Sequence, residues 1–195
     1  MTAPTNSDGT YTALEICGSD SAWVHCKIEY TRLPQNDPKW GSDIYDSYIK
    51  SISNKDTTYY TISEKGCALS CIAMVLTACG VDTDPGKLNR WKKQNNGYLD
   101  ELVRWGVNPT EGKVTYKKSI PTTELNDLSI LDKYLEECKL VVVKVINPDK
   151  NANHWVILAE KKKGTYHIVD PGYKDRKTLD EYGGKVYRAI IYEKL

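Results

Sequence analysis

The segment CALSCIAMVLTAC, residues 67–79, is apolar on every side and is followed by Gly80, a residue suited to closing a helix. A helix without a polar face has to be surrounded by protein, so the rest of the chain must build a core around it. Asp84 and Pro85 supply an N-cap and a first-turn proline for a second helix, which carries Leu88 and Trp91 inward. Leu99, Leu102 and Val103 suggest a third, short helix. Leu128, Leu131, Leu135 and Cys138 lie on one amphipathic face of another. From there the pattern changes to strands. LVVVKVI (140–146) reads as a central strand, HWVILAE (154–160) and TYHIVD (165–170) flank the turn KKKG, and KVYRAIIYE (185–193) closes the sheet. Helices followed by an antiparallel sheet predict an α+β fold. There is no internal repeat and no low-complexity tract.

Ahead of the buried helix, residues 11–17 and 22–30 predict a β-hairpin in which Val24, Cys26, Ile28 and Tyr30 share an apolar face. Two strands cannot bury such a face alone, so it packs on the main domain, on a second copy or on an assembly partner. The stretch LPQNDPKWGSDIYDSYIKSISNKDTTYY reads as a long irregular loop with a short helix near Ile44–Ile49, of the kind that lines a cleft. The chain thus divides into an N-terminal extension, residues 1–33, and a domain, residues 34–195.

Twenty-seven basic against 26 acidic residues leave a formal charge of +1. That field is too weak to argue for nucleic acid or anionic lipid as partners. The N-terminus MTAPTNSDGT lacks the basic and apolar regions of a secretory signal, and no apolar run approaches a membrane span. The expected location is cytoplasmic, or virion-associated if the chain is phage-encoded. Cys17, Cys26, Cys67, Cys71, Cys79 and Cys138 form no CxxC, and no Cys or His pair has zinc-finger spacing. Reduced thiols are expected, with no metal and no cofactor. Fourteen Tyr, five Trp and no Phe mean that polar-tipped rings must fill core and grooves alike.

Cys67 follows Gly66 at the first turn of the buried helix, where unpaired N–H groups and the helix dipole favour a thiolate. Taken alone, it reads more readily as a small core hydrophobe. Cys71, Cys79 and Cys138 lack that advantage. Of the three histidines, His25 lies on the polar face of the N-terminal hairpin. A turn centred near Lys162 sets His154 opposite Asp170 on one face of the sheet, and gives His167 the other parity. A surface ion pair would show the same pattern. Together the three residues satisfy the needs of nucleophilic catalysis: an activated nucleophile, a base, and a group that orients the base.

The strings QNDPKW (35–40), EKGCALSCIAMVL (64–76), PGKLNRWKKQNNGY (85–98), NHWVIL (153–158) and HIVDPGY (167–173) resemble the papain-like peptidases related to the double-glycine leader peptidases of bacteriocin exporters. The resemblance covers about residues 34–173. It implies a papain-like fold, in which the helix bearing the Cys packs against the sheet bearing the His and Asp. It also implies Cys67 as nucleophile, His154 as base, Asp170 as orienting carboxylate and Gln35 as oxyanion donor, although Gln35 taken alone could be a plain surface residue. Because Gln35 lies far ahead of Cys67, the intervening loop must fold back. The implied activity is hydrolysis of a peptide bond through a thioester. Alternatives are a peptidoglycan hydrolase that cuts stem peptides with the same triad, and a non-catalytic peptide-binding module.

Overall fold

The computed structural model describes residues 28–53, 56–99 and 102–195. Its strands are β1 (Ile44–Ser53), β2 (Asp56–Thr61), β3 (Tyr98–Leu99), β4 (Leu102–Val103), β5 (Val114–Pro121), β6 (Leu140–Asn147), β7 (Ala152–Lys162), β8 (Thr165–Val169) and β9 (Arg188–Lys194). Its α-helices are α1 (Ile62–Lys65), α2 (Cys67–Ala78), α3 (Pro85–Gln94) and α4 (Ser129–Glu136). Five strands form one antiparallel sheet in the order β5-β9-β6-β7-β8. The fold is α+β, with the helix that begins at Cys67 buried against this sheet.

The strand β6 reads as an unbroken apolar run because both faces of the sheet are covered. Leu140 and Val142 join Ile157 and Ile190 under α2 and α3. Val141, Val143 and Val145 join Leu158 and Ile191 beneath Leu131 of α4. The period of two along the strand divides its side chains between two cores. The helix α2 lies wholly within the first core, with Leu69 to Leu76 buried without a break. It ends in a Schellman motif: Gly80 at φ 83° donates to Thr77 O and Val81 donates to Leu76 O. The helix α3 starts as expected, with Asp84 accepting from the Lys87 N–H and Pro85 in the first turn.

Several expectations are corrected. Ile44–Ile49 is not helical but opens β1, which pairs with β2; irregular register between Ile44 and Ser51 hides the alternation that would reveal a strand. Leu99, Leu102 and Val103 form a two-residue hairpin, β3–β4, and not a helix. Leu99 and Leu102 are 57% and 64% exposed, so they were never a core-facing stripe. In α3 the fully buried partner of Leu88 is Lys92, whereas Trp91 is half-buried. The Lys92 ammonium donates to the carbonyls of Arg104 and Val107 at 3.0 and 2.7 Å, and burial lowers its pKa to about 7. The edge strand β5 has no sequence signature, because only Val114 and Ile120 are buried and a bulge separates Tyr116 from Lys118.

The proposed hairpin over residues 11–30 falls outside the described residues except for residues 28–30, which belong to no strand. Ile28, Tyr30 and Leu33 pack against the first core. Cys67, Cys71 and Cys79 are free thiols, whereas Cys138 is disulfide-bonded, contrary to the expectation of reduced thiols throughout.

Candidate active site

The short helix α1 leads into α2 through a single residue, Gly66. Thr61 and Glu64 form a capping box at the start of α1, with the Thr61 N–H donating to Glu64 at 2.9 Å. A Cβ on Gly66 would lie 2.4 Å from Ile62 O, so only glycine permits this close approach. Cys67 then occupies the first position of α2. It is half-buried, whereas the other free thiols among the described residues, Cys71 and Cys79, are buried. One turn further on, the Cys71 thiol donates to Trp155 O at 3.4 Å, fastening the start of the helix to the strand that carries His154.

That strand, β7, turns into β8 through Lys163 and Gly164, both with positive φ (50° and 84°). A bulge lies between Leu158 and Glu160, and beyond it Ile157 pairs with Val169. Asp170 follows the end of β8 and, by continuation of the register, falls opposite Val156. The expected direct pairing of His154 with Asp170 is therefore out by two residues. A shift of two preserves the face, and the side chains still meet diagonally. His154 Nε2 lies 2.8 Å from Asp170 Oδ1. The nitrogen facing Asp170 is Nε2. His167 has the other parity and pairs with Glu160 and Thr178, away from this contact. His25 lies outside the described residues.

Asp170 is 2% exposed and well supplied with donors. Its Oδ1 accepts from the N–H groups of Gly172 and Tyr173 at 2.7 and 3.0 Å, and its Oδ2 accepts from the Tyr182 hydroxyl. Burial works to raise its pKa, but the bonds from His154, Tyr182 and the Tyr173 N–H prevail and lower it. His154 is 6% exposed. Burial opposes its charged form, but hydrogen bonds with Asp170 and with the Cys67 thiol, and the charges of both, raise its pKa to about 9. With Nε2 turned to Asp170, Nδ1 is left for Cys67.

Gln35 also reaches this region. Its backbone N–H donates to Pro171 O at 3.0 Å, and its side-chain Nε2 donates to Ser63 O at 2.8 Å, one turn before Cys67. A Cβ built on Gly172 would lie 3.0 Å from His154 Cε1 and 3.4 Å from both Asp170 Oδ1 and Gln35 Oε1. The Gln35 Oε1 atom is buried without a hydrogen-bond partner. The loop between Gln35 and Cys67 therefore does fold back.

Sequence reasoning missed several supporting residues. Arg32 Nε donates to Asp170 O at 2.6 Å, and its Nη2 donates to Pro171 O at 3.3 Å. Tyr182 stacks on the His154 ring at 5.8 Å between centroids, while Tyr173 meets that ring edge-on. The Arg176 guanidinium lies over both tyrosine rings. The one available signal was T-L-D-E (178–181), a capping-box pattern that starts the 3-10 turn ending at Tyr182. Arg32 and Arg176 had none. No group of residues able to hold a metal ion occurs among the described residues. Among them, too, no helix is long and apolar enough to cross a membrane.

The chain is similar to known proteins. Across 136 residues the chain is 24% identical to the lactococcin-G-processing and transport ATP-binding protein LagD of Lactococcus lactis subsp. lactis. The match covers 69% of this chain but 18% of that protein, so the chain spans about a fifth of the relative's length. A solved structure described as a putative C39-like peptidase from Bacillus anthracis is 15% identical. It aligns over 68% of this chain and 90% of its own, with a TM-score of 0.44. Residues 56–187, about two thirds of the chain, from the start of β2 to just before β9, match the Peptidase C39 family, and the chain belongs to that family.

Proposed function

We propose that the chain is a cysteine peptidase in which Cys67 attacks a peptide carbonyl, with His154 as acid–base group and Asp170 as its orienting carboxylate. The observation that carries this reading is the position of His154, held by Asp170 at one nitrogen and near enough to Cys67 for the thiol to help raise the imidazole's pKa. Attack of the sulfur on the carbonyl carbon breaks the C=O π bond and puts negative charge on oxygen. The Cys67 N–H and the second N–H of Gln35 Nε2 are the donors available to that oxyanion. Collapse expels the amine, which takes its proton from the imidazolium, and leaves a thioester on Cys67. Water then attacks the thioester while His154 accepts its proton, releasing the carboxylate product and restoring the thiol. Proton donation requires charged His154, and its raised pKa supplies that form through neutral pH.

The name of the lactococcin-G-processing relative makes precursor peptides the substrate class to try first. Incubation with a precursor-peptide pool, denatured casein and purified cell walls, followed by mass spectrometry, tests the reading. It predicts new peptide C-termini from the peptide substrates, and none with Cys67→Ala. Cleavage that survives Cys67→Ala would refute it, and release of stem peptides from walls alone would move the substrate to peptidoglycan.

A further inference from the structure

The Asp170 carboxylate has two oxygens with unequal surroundings. Oδ1 is held by His154 and by two backbone N–H groups of the turn that follows, geometry fixed by the local chain. Oδ2 is just as enclosed, since the side chain is 0% exposed, and the bond described for it comes from the Tyr182 hydroxyl. A buried carboxylate oxygen that loses its donor bears the full cost of desolvation. Tyr182 is itself 5% exposed, and its ring lies nearly parallel to His154 at an interplanar angle of 27°. The Arg176 guanidinium sits 4.8 Å above the same ring and donates to Asn147 Oδ1 at 3.3 Å; Asn147 in turn donates to the Tyr173 hydroxyl at 2.6 Å. A surface tyrosine would be free to turn away. This one is fixed by its ring, its hydroxyl and the cation above it.

We propose that Tyr182 is a positioning residue of the site: its hydroxyl holds Asp170 Oδ2 so that Oδ1 stays turned toward His154, while its ring supports the imidazole. The proposal rests on the triad described above and extends it by one member, which acts through Asp170 and does not touch substrate. The ionisable groups around Asp170 include His154 from β7, Tyr30 and Arg32 from the N-terminal segment, Cys71 from α2, and Tyr173, Lys174, Arg176, Lys177 and Tyr182 from the chain that follows β8. Of these, Tyr182 is the one that donates to Oδ2. The lowering of the Asp170 pKa by this bond accords with the geometry.

Two variants of the full chain test the proposal with opposite signs. Tyr182→Phe keeps the stacked ring and removes the donor. Replacement of Tyr182 alone by 3-fluorotyrosine keeps the shape and strengthens the donor. The readout is the pH titration of the Asp170 carboxyl carbon by NMR, assigned with Asp170→Asn. Tyr182→Phe should move that titration up by about one to two pH units, the size expected for losing a hydrogen bond to a charged group. The fluorinated residue should move it down. Alkylation of Cys67 by iodoacetamide at mildly acidic pH should slow in the Phe variant at a temperature where circular dichroism shows it folded, while its melting temperature falls by a few degrees, as expected for a buried carboxylate oxygen left without its donor. Identical Asp170 titrations in parent and variants would overturn the proposal, and if the Phe variant does not fold, the fluorinated arm decides alone. Failure of the underlying triad shows separately, as Cys67 alkylation that is equally fast with and without His154→Gln.

Discussion

At the scale of single residues, the free thiols differ in setting. Burial raises the pKa of Cys71 and Cys79, whereas Cys67 is half-buried and interacts electrostatically with His154. Limited iodoacetamide followed by peptide mapping should therefore label Cys67 before either of them; earlier labelling of Cys71 would place the nucleophile elsewhere. Gln35→Ala should reduce turnover by about 10²–10³ with little change in KM, as for loss of one oxyanion donor. A KM effect alone would make Gln35 a binding residue. The pKa shifts also fix how the His154–Asp170 pair contributes to stability. His154, raised from 6.5 to about 9, adds stability that is complete below 6.5 and is lost as pH rises through about 9. Asp170, lowered from 3.8, adds stability present above 3.8 and lost as pH falls below it. The melting-temperature advantage of the parent over His154→Gln should thus be widest between 3.8 and 6.5 and shrink toward pH 9. An advantage that grows with pH across that range would contradict the assignment.

At the scale of elements, the junction between α1 and α2 sets where the nucleophile stands. An alanine at Gly66 would bring its Cβ against Ile62 O and Cγ2 at 2.4 and 2.5 Å, forcing the two helices apart at Cys67. Gly66→Ala should reduce turnover far more than Gly80→Ala, whose cost is backbone strain at the far end of α2. Similar activities for the two would show that the junction does not position the sulfur. Elements with strong local patterns were legible: the all-apolar α2, the capped α3, and the central strand β6. Less legible were elements whose pattern is broken by irregular pairing. The bulges in β1 and β5 interrupt the alternation that marks a strand, and β3–β4 is too short to have a period. In the β7–β8 hairpin the faces of His154 and Asp170 could be read from parity, but the register could not. The turn at Lys163–Gly164 and the bulge after Leu158 together displaced it by two residues. Arg32 approaches Asp170 from a distant part of the chain, which no local signal encodes, and for Tyr182 the capping-box pattern marks the turn but not the contact it makes.

At the scale of the whole molecule, the residues just before Gln35 are part of the site's support. Ile28, Tyr30 and Leu33 pack on the core that surrounds α2, and Arg32 holds the carbonyls of Asp170 and Pro171. Deleting residues 1–31 should therefore lower both melting temperature and turnover, and unchanged values of both would make the segment a docking element only. The central claim is that substrate is cleaved through a covalent bond to Cys67. Acid-quenched intact-mass analysis during turnover, with peptide mapping, addresses it most directly. The predicted result is an acyl adduct on Cys67 whose mass matches the N-terminal fragment of the substrate, absent with Cys67→Ala. Turnover at the parent rate with no adduct, or an adduct on another residue, would contradict it.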